Sequence, residues 1–142
     1  MPLVSRQDID RVLSNTQTIA LVGASPTTTR PSYRVMRFLL AHGYRVYPVN
    51  PSLAGQQLLE QTVYAQLSDI GHPIDMVDVF RQSRYLQAIV DEAVAIGAKT
   101  LWTQLGVIDD AAALAAEQAG LEVVMDRCPA IELPKMESAS AS

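Results

Sequence analysis

Short apolar runs that give way to a Gly- or Pro-bearing turn, and then to an amphipathic segment, recur along this chain and constrain its fold more than any other feature. Thr18 to Val22 is the first such run. Its nearly unbroken hydrophobicity suits a strand covered on both faces. Beyond Gly23 and a small polar turn, Pro31 is suited to a first helical position. Residues 32–42 then place Val35, Met36, Leu39 and Leu40 on one face, with Gly43 as a left-handed stop. Tyr44 to Val49 reads as the second strand, ending at Asn50-Pro51. Later runs at 74–79, 100–103 and 122–125 read as strands. They alternate with a helix that Ser83 can cap, whose inner face is Leu86, Ile89, Val90, Ala93 and Ile96, and with an alanine-rich one capped by Asp109 or Asp110. Gly97 and Gly120 end these helices.

At the amino terminus, Ser5 and Asp8 have capping-box spacing before Ile9, Val12 and Leu13, which predicts a short helix over 6–14. Residues 52–72 are less regular, with a short strand near Val63 and one helical turn over 67–70. Strands alternating with helices predict an α/β fold: a three-layer, Rossmann-like, doubly wound parallel sheet of about five strands with right-handed crossovers. Residues 1–136 form the single expected domain, and the small polar tail 137–142 is expected to be disordered.

Composition narrows the function classes. A chain of 142 residues buries roughly 68–70% of its unfolded surface, enough for a core without staples. No apolar run approaches the roughly 20 residues of a membrane span, and the first residues carry no apolar signal core, so a soluble cytoplasmic protein is expected. The one cysteine, Cys128, cannot form an internal disulfide, and with only the separated His42 and His72 there is no zinc pattern. A net charge of −4 argues against a general nucleic-acid binder, although it leaves room for one local basic pocket. Asp75 and Asp78 read as polar strand-edge positions rather than as an acid–base pair.

In doubly wound sheets ligands bind beyond the carboxyl ends of the strands, where the strand order switches. The residues just past the predicted strands are Gly23 and Ser25, Asn50 and Pro51, Phe80 and Arg81, Gln104 and Gly106, and Asp126 to Cys128. Arginines and amides thus gather on one rim. The turn from Gly23 through Ala24 and Ser25 to Arg30, Pro31 and Ser32 has the outline of a phosphate-binding loop of a nucleotide-binding protein. Such a loop combines a glycine, a helix start with unpaired N–H groups, and a fixed positive charge. A dinucleotide fits poorly, because Ser25 and Thr28 break the G-x-G-x-x-G spacing and Val49-Asn50 offers no carboxylate to the ribose of NAD. NADP is less excluded, since Arg30 or Arg45 lies where a 2′-phosphate could be met. Arg81 is the strongest single arginine because it directly follows an apolar strand. Arg34, Arg37 and Arg45 are compatible with solvated charges, and Arg11 and Arg84 read as surface. Trp102, inside an apolar run, reads as core.

The blocks VGASPTTTRPS, YRVYPVNP, VDVFRQS, IGAKTLWTQLGV and AGLEVVMDRCPAIE, in this order, strongly resemble the small stand-alone CoA-binding proteins. Those are similar to the CoA-binding Rossmann domain of the succinyl-CoA synthetase α subunit. The resemblance spans about residues 6–135 and implies a domain that binds coenzyme A. By that resemblance Gly23, Ser25, Arg30, Pro31 and Ser32 would hold the diphosphate, and Asn50, Pro51, Phe80 and Arg81 would lie on the adenosine side. Trp102, Gln104 and Gly106 would match the block beside the pantetheine path. It implies no catalytic residue, since the synthetase's catalytic histidine belongs to the part absent here. The expectation is therefore a carrier, sensor or subunit for CoA or acyl-CoA, either a homodimer or the companion of an enzyme that supplies the chemistry. The alternatives are an NADP-dependent reductase, an acyl-CoA-handling enzyme, or an interaction module with a vestigial rim. Cys128 is also a candidate for a mixed disulfide with the CoA thiol under oxidation, against the simpler reading of a small buried thiol.

Overall fold

The computed structural model describes the backbone of residues 1–141 and the side chains through Met136. The expected tail, 137–142, therefore falls on side chains outside the described residues and on Ser142, which lies outside them altogether.

Five strands form one parallel sheet: β1 (Thr18–Val22), β2 (Arg45–Val49), β5 (Met76–Val79), β6 (Thr100–Thr103) and β7 (Glu122–Val124), in the order β2-β1-β5-β6-β7. Between β2 and β5 lies a small antiparallel hairpin, β3 (Gln57–Leu58) and β4 (Gln61–Thr62). The chain runs outward from β1 to β2, then returns past β1 to β5 and continues the other way. The topological switch is therefore the seam between β1 and β5, where Leu21 pairs with Asp78 and Val22 with Val79.

Period-2 alternation sends each central strand's side chains to opposite faces. Ile19 and Leu21 of β1, with Met76 and Trp102, pack under α1 (Arg6–Asn15), α2 (Pro31–Ala41) and α5 (Pro129–Ala141). Ala20 and Val22, with Val77, Val79 and Leu101, pack under α3 (Leu86–Ala95) and α4 (Asp110–Gln118). This is the expected three-layer, doubly wound α/β domain. Among the described residues no helix is long and apolar enough to cross a membrane.

Local chemistry explains most boundaries. The Ser5 hydroxyl accepts from the Asp8 amide at 3.1 Å and starts α1, and the Asp109 carboxylate accepts from the Ala112 amide at 3.1 Å and starts α4. Pro31 occupies the first turn of α2 as predicted. Ser83 does not cap a helix. A 3₁₀ turn, Ser83–Tyr85, precedes α3, and the Ser83 hydroxyl instead accepts from the Ile108 amide at 2.9 Å, tying that turn to the loop after β6.

Candidate functional site

Gly23 is the pivot of the carboxyl edge. Its φ of +93° is one that residues with a Cβ rarely adopt, and a Cβ there would lie 3.2 Å from the Phe80 carbonyl carbon and 3.3 Å from Arg81 Cδ. Glycine thus lets the turn after β1 lie directly against the end of β5. The Gly23 and Ala24 amides do not face outward, because both donate to the Val49 carbonyl, at 3.0 and 3.2 Å. The Asn50 amide nitrogen donates to Ala24 O at 2.8 Å while its oxygen accepts from the Ser52 amide at 2.9 Å. Where a dinucleotide-binding protein offers a carboxylate to ribose, this chain uses the side chain to fasten two of its own loops together.

Three chambers with shared walls open along this edge. The middle one, about 450 Å³, is lined by Gly23, Ala24, Ser25, Arg30, Asn50, Phe80 and Arg81, and also by Gln82, Arg84 and Tyr85. An apolar chamber of about 570 Å³ adjoins it across Gly23, Arg81 and Tyr85 and is lined further by Val22, Val49, Pro51, Leu67, Ala88, Ile89 and Glu92. On the other side a smaller chamber, about 260 Å³, has Pro31, Ser32, Gln104, Leu105 and Val107 in its walls. The structure therefore brings together the residues predicted for the site, with Gly106 as the exception. Gly106 lines none of these chambers, and its amide donates to the Asp126 carboxylate at 2.8 Å.

Charge is concentrated in the middle. Arg30, Arg81 and Arg84 form no ion pair among the described residues, whereas Arg6 and Arg11 both pair with carboxylates elsewhere. Arg81 and Arg84 flank the Tyr85 ring, with guanidinium carbons 4.3 and 4.8 Å from its centroid. The ring holds two flexible cations near one place without neutralising them. At the start of α2 the Tyr33 and Arg34 amides both return to Arg30 O, while the amide of Ser32, a buried residue in the wall of the smaller chamber, is the first-turn donor without a backbone partner among the described residues. Guanidinium forks and a helix start suit phosphate oxygens.

Arg84 and Tyr85 escaped the sequence reading because a helix beginning at Ser83 would have spread them around its surface. The 3₁₀ turn gathers them instead. Trp102 lies in the core, fully buried, its indole N–H donating to Arg127 O at 2.9 Å. Cys128 is buried in the α1–α2–α5 layer. Asp78 is a correction. Far from being a strand-edge polar position, it is fully buried in a central strand, neither carboxylate oxygen has a hydrogen-bond partner, and burial holds its carboxyl well above the ordinary range. Asp75 lies at the opposite edge of the sheet and accepts from the Gln17 and Thr18 amides at 2.9 and 3.2 Å. Partial burial pushes its carboxyl up, but those two bonds and Lys99 outweigh burial and hold it below the ordinary range.

A doubly wound parallel sheet, with an arginine-rich cleft at its switch point, places this molecule among Rossmann-like α/β domains. Residues 17–134 match the family described as CoA binding domain, and the chain belongs to that family. It is 32% identical over 124 residues to the Bacillus subtilis "uncharacterized protein YneT", covering 87% of this chain and 90% of that one. A solved structure described as a hypothetical protein from Pyrococcus horikoshii OT3 superposes with a TM-score of 0.91 at 36% identity, over 96% of each chain. A more distant likeness, 28% identity over 85 residues, links 58% of this chain to 12% of an Archaeoglobus fulgidus acetate–CoA ligase (ADP-forming). The chain thus corresponds to a small region of that larger protein.

Proposed function

We propose that this protein binds coenzyme A, free or acylated, across the carboxyl edge of the sheet and performs no chemistry of its own. The observation that carries this reading is the cleft: three arginines that form no ion pair among the described residues, in a middle chamber that lies between an apolar chamber and a smaller one, in a chain of the CoA-binding family. Phosphates meet Arg30, Arg81, Arg84 and the start of α2. The adenine ring enters the apolar chamber, and the pantetheine arm leaves past Phe80 and Gln104. Absence of catalysis is supported by the separation of the two aspartates weighed as an acid–base pair, with Asp78 sealed within the sheet layer and Asp75 at the far edge.

Thermal unfolding with CoA, NADP and NAD in parallel tests this. CoA at about 100 times its dissociation constant adds roughly 2.7 kcal/mol, a shift on the order of 5–10 °C, while NAD and NADP leave the transition in place. Arg81→Ala weakens CoA about 10- to 100-fold, read by calorimetry, through loss of charge-assisted hydrogen bonds. A shift with NADP alone would turn the assignment toward a reductase.

A further inference from the structure

The apolar chamber contains one feature that phosphate binding does not explain. From Tyr85 at the N-cap of α3 through Ala88, Ile89 and Glu92 the spacing is the helical i, i+3, i+4, i+7, so one stripe of the helix and its cap forms a wall of the chamber. The charged residues lining the three chambers are Arg30, Arg81, Arg84 and Glu92, so Glu92 is the lone carboxylate among the described residues of the cleft. It is half-buried and forms no ion pair among the described residues. The arginines belong to the neighbouring chamber, and only Arg81 borders both.

We infer that Glu92 reads the base of the bound nucleotide by accepting a hydrogen bond from the exocyclic amine of adenine. This rests on the coenzyme A reading above. An ionised carboxylate only accepts, so its complement on a ligand must be a donor. Beside a polyanion, a carboxylate that meets no donor weakens binding by repulsion. A flat aromatic ring suits apolar walls such as Val49, Pro51 and Leu67, and the N6 amine is the donor that adenine carries at its edge. Base and phosphate are joined through one ribose, which matches two chambers that share Arg81 and Tyr85 as a common wall. A purine with a keto oxygen in place of the amine would set acceptor against acceptor. Glu92 is accordingly a specificity residue of a site whose affinity comes from the arginines.

The test is isothermal titration of the whole protein and of Glu92→Ala with CoA and with 1,N6-etheno-CoA, in which the added ring removes the amine hydrogens. Wild type favours CoA by about tenfold, the worth of one hydrogen bond to a charged group. In Glu92→Ala, CoA weakens severalfold while etheno-CoA is unchanged or binds slightly tighter as the unmet charge is removed, and the preference disappears. Unliganded thermal unfolding of the variant shows that it folds. Equal or tighter CoA binding by Glu92→Ala overturns the inference, because that is the result of merely removing a repelling charge. A preference for CoA that persists in the variant also overturns it and assigns the discrimination to the shape of the chamber. Wild type that binds neither compound removes the coenzyme A reading itself, a result distinct from the other two.

Discussion

The two edges of the sheet are built from similar residues and handle charge in opposite ways. At the amino edge, Asp75 accepts from two backbone amides and lies 3.3 Å from Lys99 Nζ, and Arg11 is paired with Glu122. At the carboxyl edge three arginines share one chamber, and none of them forms an ion pair among the described residues. The amino edge spends its polar groups on holding the strands in place. The carboxyl edge keeps its arginines out of such pairs, which under the function proposed above leaves them to a ligand's phosphates.

Substitutions sharpen this contrast. The largest effect is expected at Gly23→Ala, where positive φ and a close approach to Phe80 act together. It costs about 2–4 kcal/mol by denaturant unfolding and shifts the turn that shapes the cleft, so stability and ligand binding fall together. Asp75→Ala separates the two edges. It leaves two amides without an acceptor and costs about 2 kcal/mol, yet CoA affinity by calorimetry stays at the wild-type value. Loss of CoA binding in that variant would break this division of labour between the two edges.

Acid and base separate the carboxyls of partly buried Asp75 and fully buried Asp78 in the same way. Asp75 is held below its ordinary range, so the stability it contributes is present above about pH 4 and is lost as pH falls through its folded value. Asp78 is held well above its ordinary range, so in the fold it keeps a proton that the unfolded chain gives up near pH 4. Stability then declines as pH rises from there through the folded value. Asp78→Asn, followed by urea unfolding across pH 5–9, is expected to remove that decline. An unchanged slope would place the titrating group elsewhere. The smallest effect is at the hairpin, where Leu59 and Glu60 both have positive φ, at 49° and 66°. Glu60→Gly should gain about 0.5–1 kcal/mol, measured as a higher urea midpoint.

That hairpin also shows where sequence reasoning stops. The β1 strand is legible to the residue because hydrophobicity and burial coincide there, and Pro31 announces α2 because a proline belongs at that position. Leu59-Glu60 carries none of the Asn-Gly chemistry that marks a tight hairpin, so only a short strand near Val63 could be read. The α5 helix went unread because Pro134 sits inside it, a residue that removes a helical hydrogen bond. What holds it is tertiary. Leu133 enters the core, and Arg6 reaches the buried Glu132 at 2.9 Å from across the chain. The cleft divides similarly. Residues from the strand ends were visible as a rim, whereas Arg84 and Tyr85 come from the 3₁₀ turn before α3 and Glu92 from α3 itself, a wall that no local pattern announces.

The Asn50 side chain has a consequence for the timing of recognition. Because its amide already fastens the Ala24 carbonyl to the Ser52 amide, the two loops acquire their mutual geometry when the chain folds and not when a ligand arrives. Association then carries little ordering entropy from these segments, and the rate of encounter is governed by diffusion and by the field of the unpaired arginines. The on-rate should therefore fall with added salt while the ligand-free and ligand-bound loops remain superimposable, the behaviour of a lock cut before the key is met.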